Sequence, residues 1–377
     1  MSVQWLDESA ARATQSLKWS KCGPETLAAW VAEMDVALAP PIASALHDAI
    51  ELHMVGYPRH ETESDLREVI ADWHARRLGH EIHAERVLYS AEVISGLAFA
   101  LSTVLEPGSG VVVPSPAYPP FSEAIAWAGM REIRVPLANG MTDPEAIDRV
   151  LADSAGAVIV CNPHNPTGRV PTLDELAAIG DVAERRGAWV FADEVHAALT
   201  HPGRSSVPFS MAAPALADRA ITLSSASKAF NLPGLRFAWM ISHDDAVHAR
   251  LAAQPVHDRG PDGTLGQVAA RAALADGDDW LDDLRQDFVG RFEMVRSALA
   301  PRIGESVLSR PGASYLSWID FSGTAIGDDP AAHIARAGVR VAPGTDYGAE
   351  GLGHIRLNVA AHTDTLERAL DRILTVL

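Results

Sequence analysis

The chain is poor in cysteine: Cys22 and Cys161 are the only two, and they form no CxxC pair. That excludes a disulfide scaffold and fits a reducing compartment, so a cytoplasmic location is expected. Long apolar runs are also missing. No stretch of about twenty uncharged apolar residues occurs, and the N-terminus "MSVQWLDESAARATQS" lacks a basic segment followed by an apolar one, so neither export nor membrane spanning is expected. Positive charge is scarce as well, with 31 Lys and Arg against 49 Asp and Glu and a net charge of -18. A non-specific nucleic-acid binder or a polybasic membrane binder is thereby disfavoured, and any anionic ligand has to be caught by a local pocket. No repeat of 20 to 50 residues and no low-complexity tract is apparent.

What is present is an ordinary apolar content of 47% in 377 residues, enough for two packed lobes. Short apolar runs read as strands at 110–115, 155–162, 188–193, 220–225 and 236–242, with amphipathic stretches such as "TLDELAAIGDVAERRG" between them. This alternation predicts an α/β fold whose mostly parallel sheet is covered by helices on both faces. The C-terminal part differs: a charged helix over 276–300, then "ASYLSWIDF", a helix near "PAAHIARAG" and "VRVAPGTDYGAEGLGHIRLNVA", which together predict a smaller α+β lobe. The expected division is an N-terminal segment 1–45 belonging largely to the small domain, a large domain 46–280, and a small C-terminal domain 281–377. The aspartates 276, 278, 279, 282 and 283 are read as a solvated helix face rather than a metal site.

In parallel sheets, ligands sit beyond the carboxyl ends of the strands. Three polar clusters fall there, "CNPHNPTG" (161–168), "ADEVH" (192–196) and "SSASK" (224–228). Lys228 lies in an otherwise apolar stretch, where an ammonium needs an anionic partner or must give up its proton. One cofactor unites a lysine amine, a carboxylate, hydroxyls and an arginine: pyridoxal 5'-phosphate, whose aldehyde takes the amine, whose ring nitrogen takes the carboxylate, and whose phosphate takes the rest.

With these motifs in place the sequence resembles the fold-type I pyridoxal-phosphate enzymes of the class I/II aminotransferase group, from about Trp30 to Ala360. The resemblance implies that Lys228 is the lysine bonded to the cofactor and that Ser225 and Arg236 hold its phosphate. Asn165 of "HNPTG" would bond the ring's phenolic oxygen, Asp193 would pair the ring nitrogen, and Tyr118 of "PSPAYPPF" would stack on the ring. Arg356 of "RLNVA" would take the substrate carboxylate. The backbone N–H groups of Val93 and Ile94, opening a helix in "AEVISGLAFAL", are further candidates for the phosphate. Tyr57 would reach the phosphate region of a neighbouring subunit, implying a homodimer with shared active sites. His196 and His164 stand beside the motifs as supporting hydrogen-bonders or direct participants, with His196 placed among the cofactor-binding candidates.

"WVAEMDVALAPPI", "LREVIADWHARRLGHEI", "ADEVHAAL" and "RLNVA" look like the cystathionine β-lyase and cysteine-S-conjugate β-lyase subgroup, which implies cleavage of an amino-acid substrate at a C–S bond. Two departures stand out. The subgroup usually has Asp then Met-Asp-Phe where this chain has Glu33 to Val36, and Pro-Gly where it has Ala91 and Glu92. Glu92 beside a phosphate is unhelpful unless it points away. An aminotransferase and a cofactor-binding regulatory protein are the rival readings, and "GHEIH" (79–83) reads as an exposed connection rather than a zinc site.

Overall fold

The computed structural model describes residues 2–138, 140–153 and 155–377. Its larger sheet has seven strands, β2 (Val87–Ser90), β3 (Gly110–Ser115), β4 (Arg131–Pro136), β5 (Ala155–Cys161), β6 (Trp189–Asp193), β7 (Ala220–Ser224) and β8 (Ala238–Ser242), in the order β2-β8-β7-β6-β5-β3-β4. The five strands from β4 to β7 in that order run parallel, while β8 is antiparallel to both β7 and β2. The fold class is therefore the expected α/β arrangement.

Residues along these strands alternate between two apolar layers. In β5 and β6, Ile159 and Phe191 pack with the helix Val93–Val104 on one face, and Val158, Val160 and Val190 pack with the helix Leu173–Arg186 on the other. Burial of both faces is why these strands read as unbroken apolar runs instead of alternating ones. The helix Leu173–Arg186 begins with Thr172 accepting the Glu175 N–H while Glu175 accepts the Thr172 N–H, a reciprocal cap readable from the sequence spacing. β4 escaped sequence reading because it is an edge strand whose Arg131 and Arg134 side chains are exposed, which breaks up its apolar pattern.

The second sheet contains β1 (Leu27–Ala29), β9 (Leu316–Asp320), β10 (Val339–Pro343) and β11 (His354–Asn358), ordered β1-β10-β11-β9. Leu27 pairs with Val339 and Ala29 with Val341, so a strand from the N-terminus completes a sheet otherwise made at the C-terminus.

Two expectations gain detail from the structure. Asp276 ends the helix Thr264–Asp276 and the other four aspartates open the helix Asp278–Ile303; Asp276, Asp279, Asp282 and Asp283 are exposed as expected, and the face also carries ion pairs, Asp278 with Arg76 and Asp282 with Arg77 and Arg285. In "GHEIH", His80 is buried, its ring 5.6 Å from that of His243 and 5.8 Å from that of His74, with Ser210 Oγ at 2.9 Å. Gly79, Glu81 and His83 are exposed as expected, and His80 turns inward because an imidazole can pack as an aromatic while one ring nitrogen meets a hydroxyl. Among the described residues no histidine, cysteine and carboxylate cluster could hold a metal ion, and no helix is long and apolar enough to cross a membrane.

Near the N-terminus, Lys18 is fully buried and its ammonium donates to Asp35 Oδ2 at 2.8 Å and to the Ala360 carbonyl at 3.0 Å. Trp19 Nε1 donates to the other Asp35 oxygen at 2.8 Å. Removing one member of a buried ion pair strands the other charge in a poor solvent. Lys18→Met should thus lower unfolding free energy by about 3 to 5 kcal/mol, measured by denaturant titration. Lys18→Met combined with Asp35→Leu should recover much of that loss, because no unpaired charge remains.

Candidate active site

The register of the large sheet gathers the three polar clusters. Cys161 lies opposite Asp193, and Asp193 opposite Leu223, so the ends of β5, β6 and β7 are level and the residues that follow them share one edge. A cavity at that edge is lined by Val93, Ile94, Tyr118, Asp193, Ser225, Lys228 and Arg236, seven of the residues singled out from the sequence. Helix Val93–Val104 enters with its N-terminus at the cavity, and the first N–H groups of a helix have no partner inside it. Arg236, at φ 53°, turns the chain sharply after Pro233–Leu235 and joins them there.

Lys228 Nζ donates to the Ala32 carbonyl at 3.1 Å. Burial pushes its amine down to about 8, and the Arg356 guanidinium works in the same direction, while Asp193, Glu33 and Glu92 oppose it. Asp193 moves the opposite way: burial raises its carboxyl to about 6, against the Val195 N–H bonded to Oδ1 at 3.1 Å and the nearby Lys228. A buried carboxylate in this condition gains most from a cationic partner such as a protonated ring nitrogen.

Arg356 lies on β11 of the other sheet, buried, with Nη1 donating to Asn165 Oδ1 at 3.0 Å and Nη2 to the Trp30 carbonyl at 2.9 Å. Its guanidinium sits 5.0 Å from the Tyr347 ring centre. Because the Asn165 oxygen faces a cation, its amide NH2 is left as the donating end, the polarity a phenolate oxygen requires. His196 is buried with its ring 6.4 Å from that of Tyr315, and burial followed by the Lys228 and Arg356 charges holds it down at about 3, a neutral imidazole. Tyr118 lines the cavity, and burial raises its phenol to about 12.

The residues fit pyridoxal 5'-phosphate by a test internal to the fold. Arg356 Nε and His196 Nδ1 are buried polar atoms without a hydrogen-bond partner, and both belong to this site. Buried donors and acceptors are normally satisfied, so two orphans beside an amine, a raised carboxylate and an anion-favouring helix end point to a polar ligand.

Ser225 lines the cavity, but its hydroxyl donates to the Phe237 carbonyl at 2.6 Å and accepts the Ser227 N–H at 3.0 Å, so it also ties two backbone segments together. Tyr57 is fully exposed and lies with Met54, Arg59 and Thr264 outside the Lys228 cavity, so a single chain does not bring it there.

Sequence reading used the segment 30–34 only for its resemblance and gave it no place in the site. Tyr315 donates its hydroxyl to the same Ala32 carbonyl as Lys228, at 3.0 Å, and Asn358 Nδ2 donates to the Val31 and Glu33 carbonyls, each at 2.7 Å. These are backbone acceptors, which no residue type announces. Gly168, the last residue of "HNPTG", does carry a sequence signal: at φ 68°, an added Cβ there would collide with Pro311, while its carbonyl accepts from Gly312 N–H at 2.8 Å.

These electrostatics predict how Lys228 titrates in protein freed of cofactor. Competitive acylation followed by mass spectrometry should show Lys228 half-reactive near pH 8, below ordinary lysines. Arg356→Gln removes a like charge and should raise that midpoint, whereas Asp193→Asn removes a favourable one and should lower it. Shifts of the opposite sign would contradict the geometry.

The aminotransferase class I and II family model matches residues 34–373. The chain is 33% identical over 375 residues to the cystathionine β-lyase of Corynebacterium glutamicum, covering 99% of each protein. It is 30% identical over 374 residues to the cystathionine β-lyase PatB of Bacillus subtilis, covering 96% of each. Among solved structures, the PLP-bound C–S lyase from Staphylococcus hominis superposes with a TM-score of 0.90 at 26% identity, covering 99% of this chain and 97% of that one. The chain belongs to the aminotransferase class I and II family of pyridoxal-phosphate-dependent enzymes, in the group of its cystathionine β-lyase and C–S lyase relatives.

Proposed function

We propose that this protein is a carbon–sulfur β-lyase that converts cystathionine or a related S-substituted cysteine, with one water, into a thiol, pyruvate and ammonia. The observation that carries it is the convergence of Lys228, Asp193 and the Arg356 fork at one site in a chain whose full-length relatives are cystathionine β-lyases. Pyridoxal phosphate, when bound, supplies an electron sink for the bonds at the amino acid's α-carbon. Lys228 would hold it, with Asp193 at its ring nitrogen, Asn165 at its phenolic oxygen, Tyr118 on its face, and Arg236, Ser225 and the Val93 and Ile94 N–H groups at its phosphate.

The chain's own residues do the rest. Arg356 binds the substrate carboxylate and, held by Asn165 and Trp30, fixes the α-carbon with little freedom to turn. The Lys228 amine, depressed to about 8, is a base of suitable strength for the α-proton near neutral pH and can return a proton afterwards. His196, neutral, adds no charge to a site already holding Arg356 and Lys228.

The remaining features belong to the same proposal. We place the enzyme in the cytoplasm and in a homodimer, with Tyr57 completing the partner's phosphate site; its full exposure supports this reading. The domain division near 45 and 280 is supported by β1 joining the second sheet.

With a cystathionine-type substrate alone, thiol, pyruvate and ammonia should appear in equal amounts over many turnovers. A halt after one equivalent, relieved by a 2-oxo acid, would establish an aminotransferase instead. Arg356→Ala should reduce kcat/KM by an amount corresponding to about 2 to 5 kcal/mol, the cost of truncating one partner of a buried charge pair. For the shared site, inactive Tyr57→Phe and Lys228→Ala proteins, mixed and reassembled, should regain up to about one quarter of the sites if subunits pair at random. Full activity in a monomer would refute that arrangement.

A further inference from the structure

One carboxylate in the cavity has no role in the chemistry above. Glu92 caps the start of helix Val93–Val104 and lines the cavity with Val93, Ile94, Ser227 and Arg236. It does not point away: its carboxylate pairs with Nη1 of Arg236, with the two side chains 44% and 59% exposed. Arg236 has a left-handed backbone, uncommon for a residue with a Cβ, so the turn following Pro233–Leu235 sets where this guanidinium projects. A helix start and a guanidinium together form an anion seat. In this protein the chain itself places an anion there.

We propose that Glu92 competes with the cofactor's phosphate for Arg236 and thereby weakens cofactor binding, making the fraction of loaded enzyme sensitive to cofactor supply. The inference rests on the pyridoxal-phosphate reading of the cavity. A phosphate carrying about -1.5 to -2 charges outbids a carboxylate for the guanidinium. Glu92 must then either swing into solvent, losing its partner, or stay and repel the phosphate. Both routes raise the cofactor's dissociation constant. Because the pair is half exposed and screened by salt, the effect is modest, up to roughly fivefold.

The test compares wild-type and Glu92→Gln holoenzymes by equilibrium dialysis, reading bound cofactor from its absorbance. Glutamine keeps the shape and removes the charge. The variant should bind pyridoxal phosphate up to roughly fivefold more tightly and release it more slowly, with the difference shrinking in about 1 M NaCl. Pyridoxal, which lacks the phosphate, should bind both proteins equally. Unchanged or weaker binding of pyridoxal phosphate by Glu92→Gln, or an equal gain for pyridoxal, overturns the proposal, since a merely structural role would move both ligands together. Arg236→Gln separates the two layers of the argument: it should lose affinity for pyridoxal phosphate and not for pyridoxal. If it binds both as wild type does, the phosphate seat itself is misassigned, whatever Glu92 does.

Discussion

Everything at this site depends on how one short irregular segment, residues 30–36, is held between the two sheets. Its backbone is used almost completely. The Trp30 carbonyl accepts from Arg356, Val31 and Glu33 from Asn358, Ala32 from Lys228 and Tyr315, and Met34 exchanges two bonds with Asn231. Asp35 ends the segment by taking Lys18 and Trp19 on its side chain and donating its N–H to Ala360. Arg356, Asn358 and Ala360 follow one another along β11 and its exit, while Lys228 and Asn231 follow β7. The segment therefore fixes the Arg356 guanidinium and the Lys228 amine relative to each other, although they follow strands of different sheets. The buried Lys18–Asp35 pair is the far anchor of that clamp, and the two residues share Ala360 as an acceptor, through the Lys18 ammonium and the Asp35 N–H.

Electrostatics at the site run against those of the whole chain. A protein of net charge -18 places Arg236 and Lys228 on one cavity, with Arg356 buried close enough that its charge is felt by Lys228. Adjacent carboxylates are separated by environment. Asp193 faces the cavity, while Glu194 turns back to accept the Phe209 N–H at 2.7 Å, and burial pushes its carboxyl up to about 8. Burial pushes Glu194 toward its neutral form, and Asp193 is the carboxylate of the two that faces the cavity. His196, two residues after Glu194, is held neutral by the same burial.

Much of this was legible in the sequence because strands and their ends have local signatures. β3, β5, β6, β7 and β8 announce themselves as apolar runs, and the polar clusters that terminate three of them lie where a parallel sheet presents its ligand edge. Lys228 stood out since a lone cation among small and apolar residues demands an explanation. Other features left no trace. β4 is an edge strand with exposed arginines, His80 looks polar yet packs among histidine rings, and Glu92 could be seen beside the expected phosphate but not its direction.

By itself, then, the sequence pointed to Lys228 and to the sheet edge where polar clusters end the apolar runs, since residue type and strand periodicity are local properties, and its resemblance to a family supplied the roles expected of Asp193 and Arg356. Only the tertiary structure decided how they are poised. Lys228 meets the Ala32 carbonyl across 196 positions and Arg356 meets that of Trp30 across 326. Their partners are backbone groups that every residue carries, so no side chain at those positions could have announced the contact. The depressed amine of Lys228 and the raised carboxyl of Asp193 likewise arise from burial and from charges on distant segments, which exist only once the chain has closed around them.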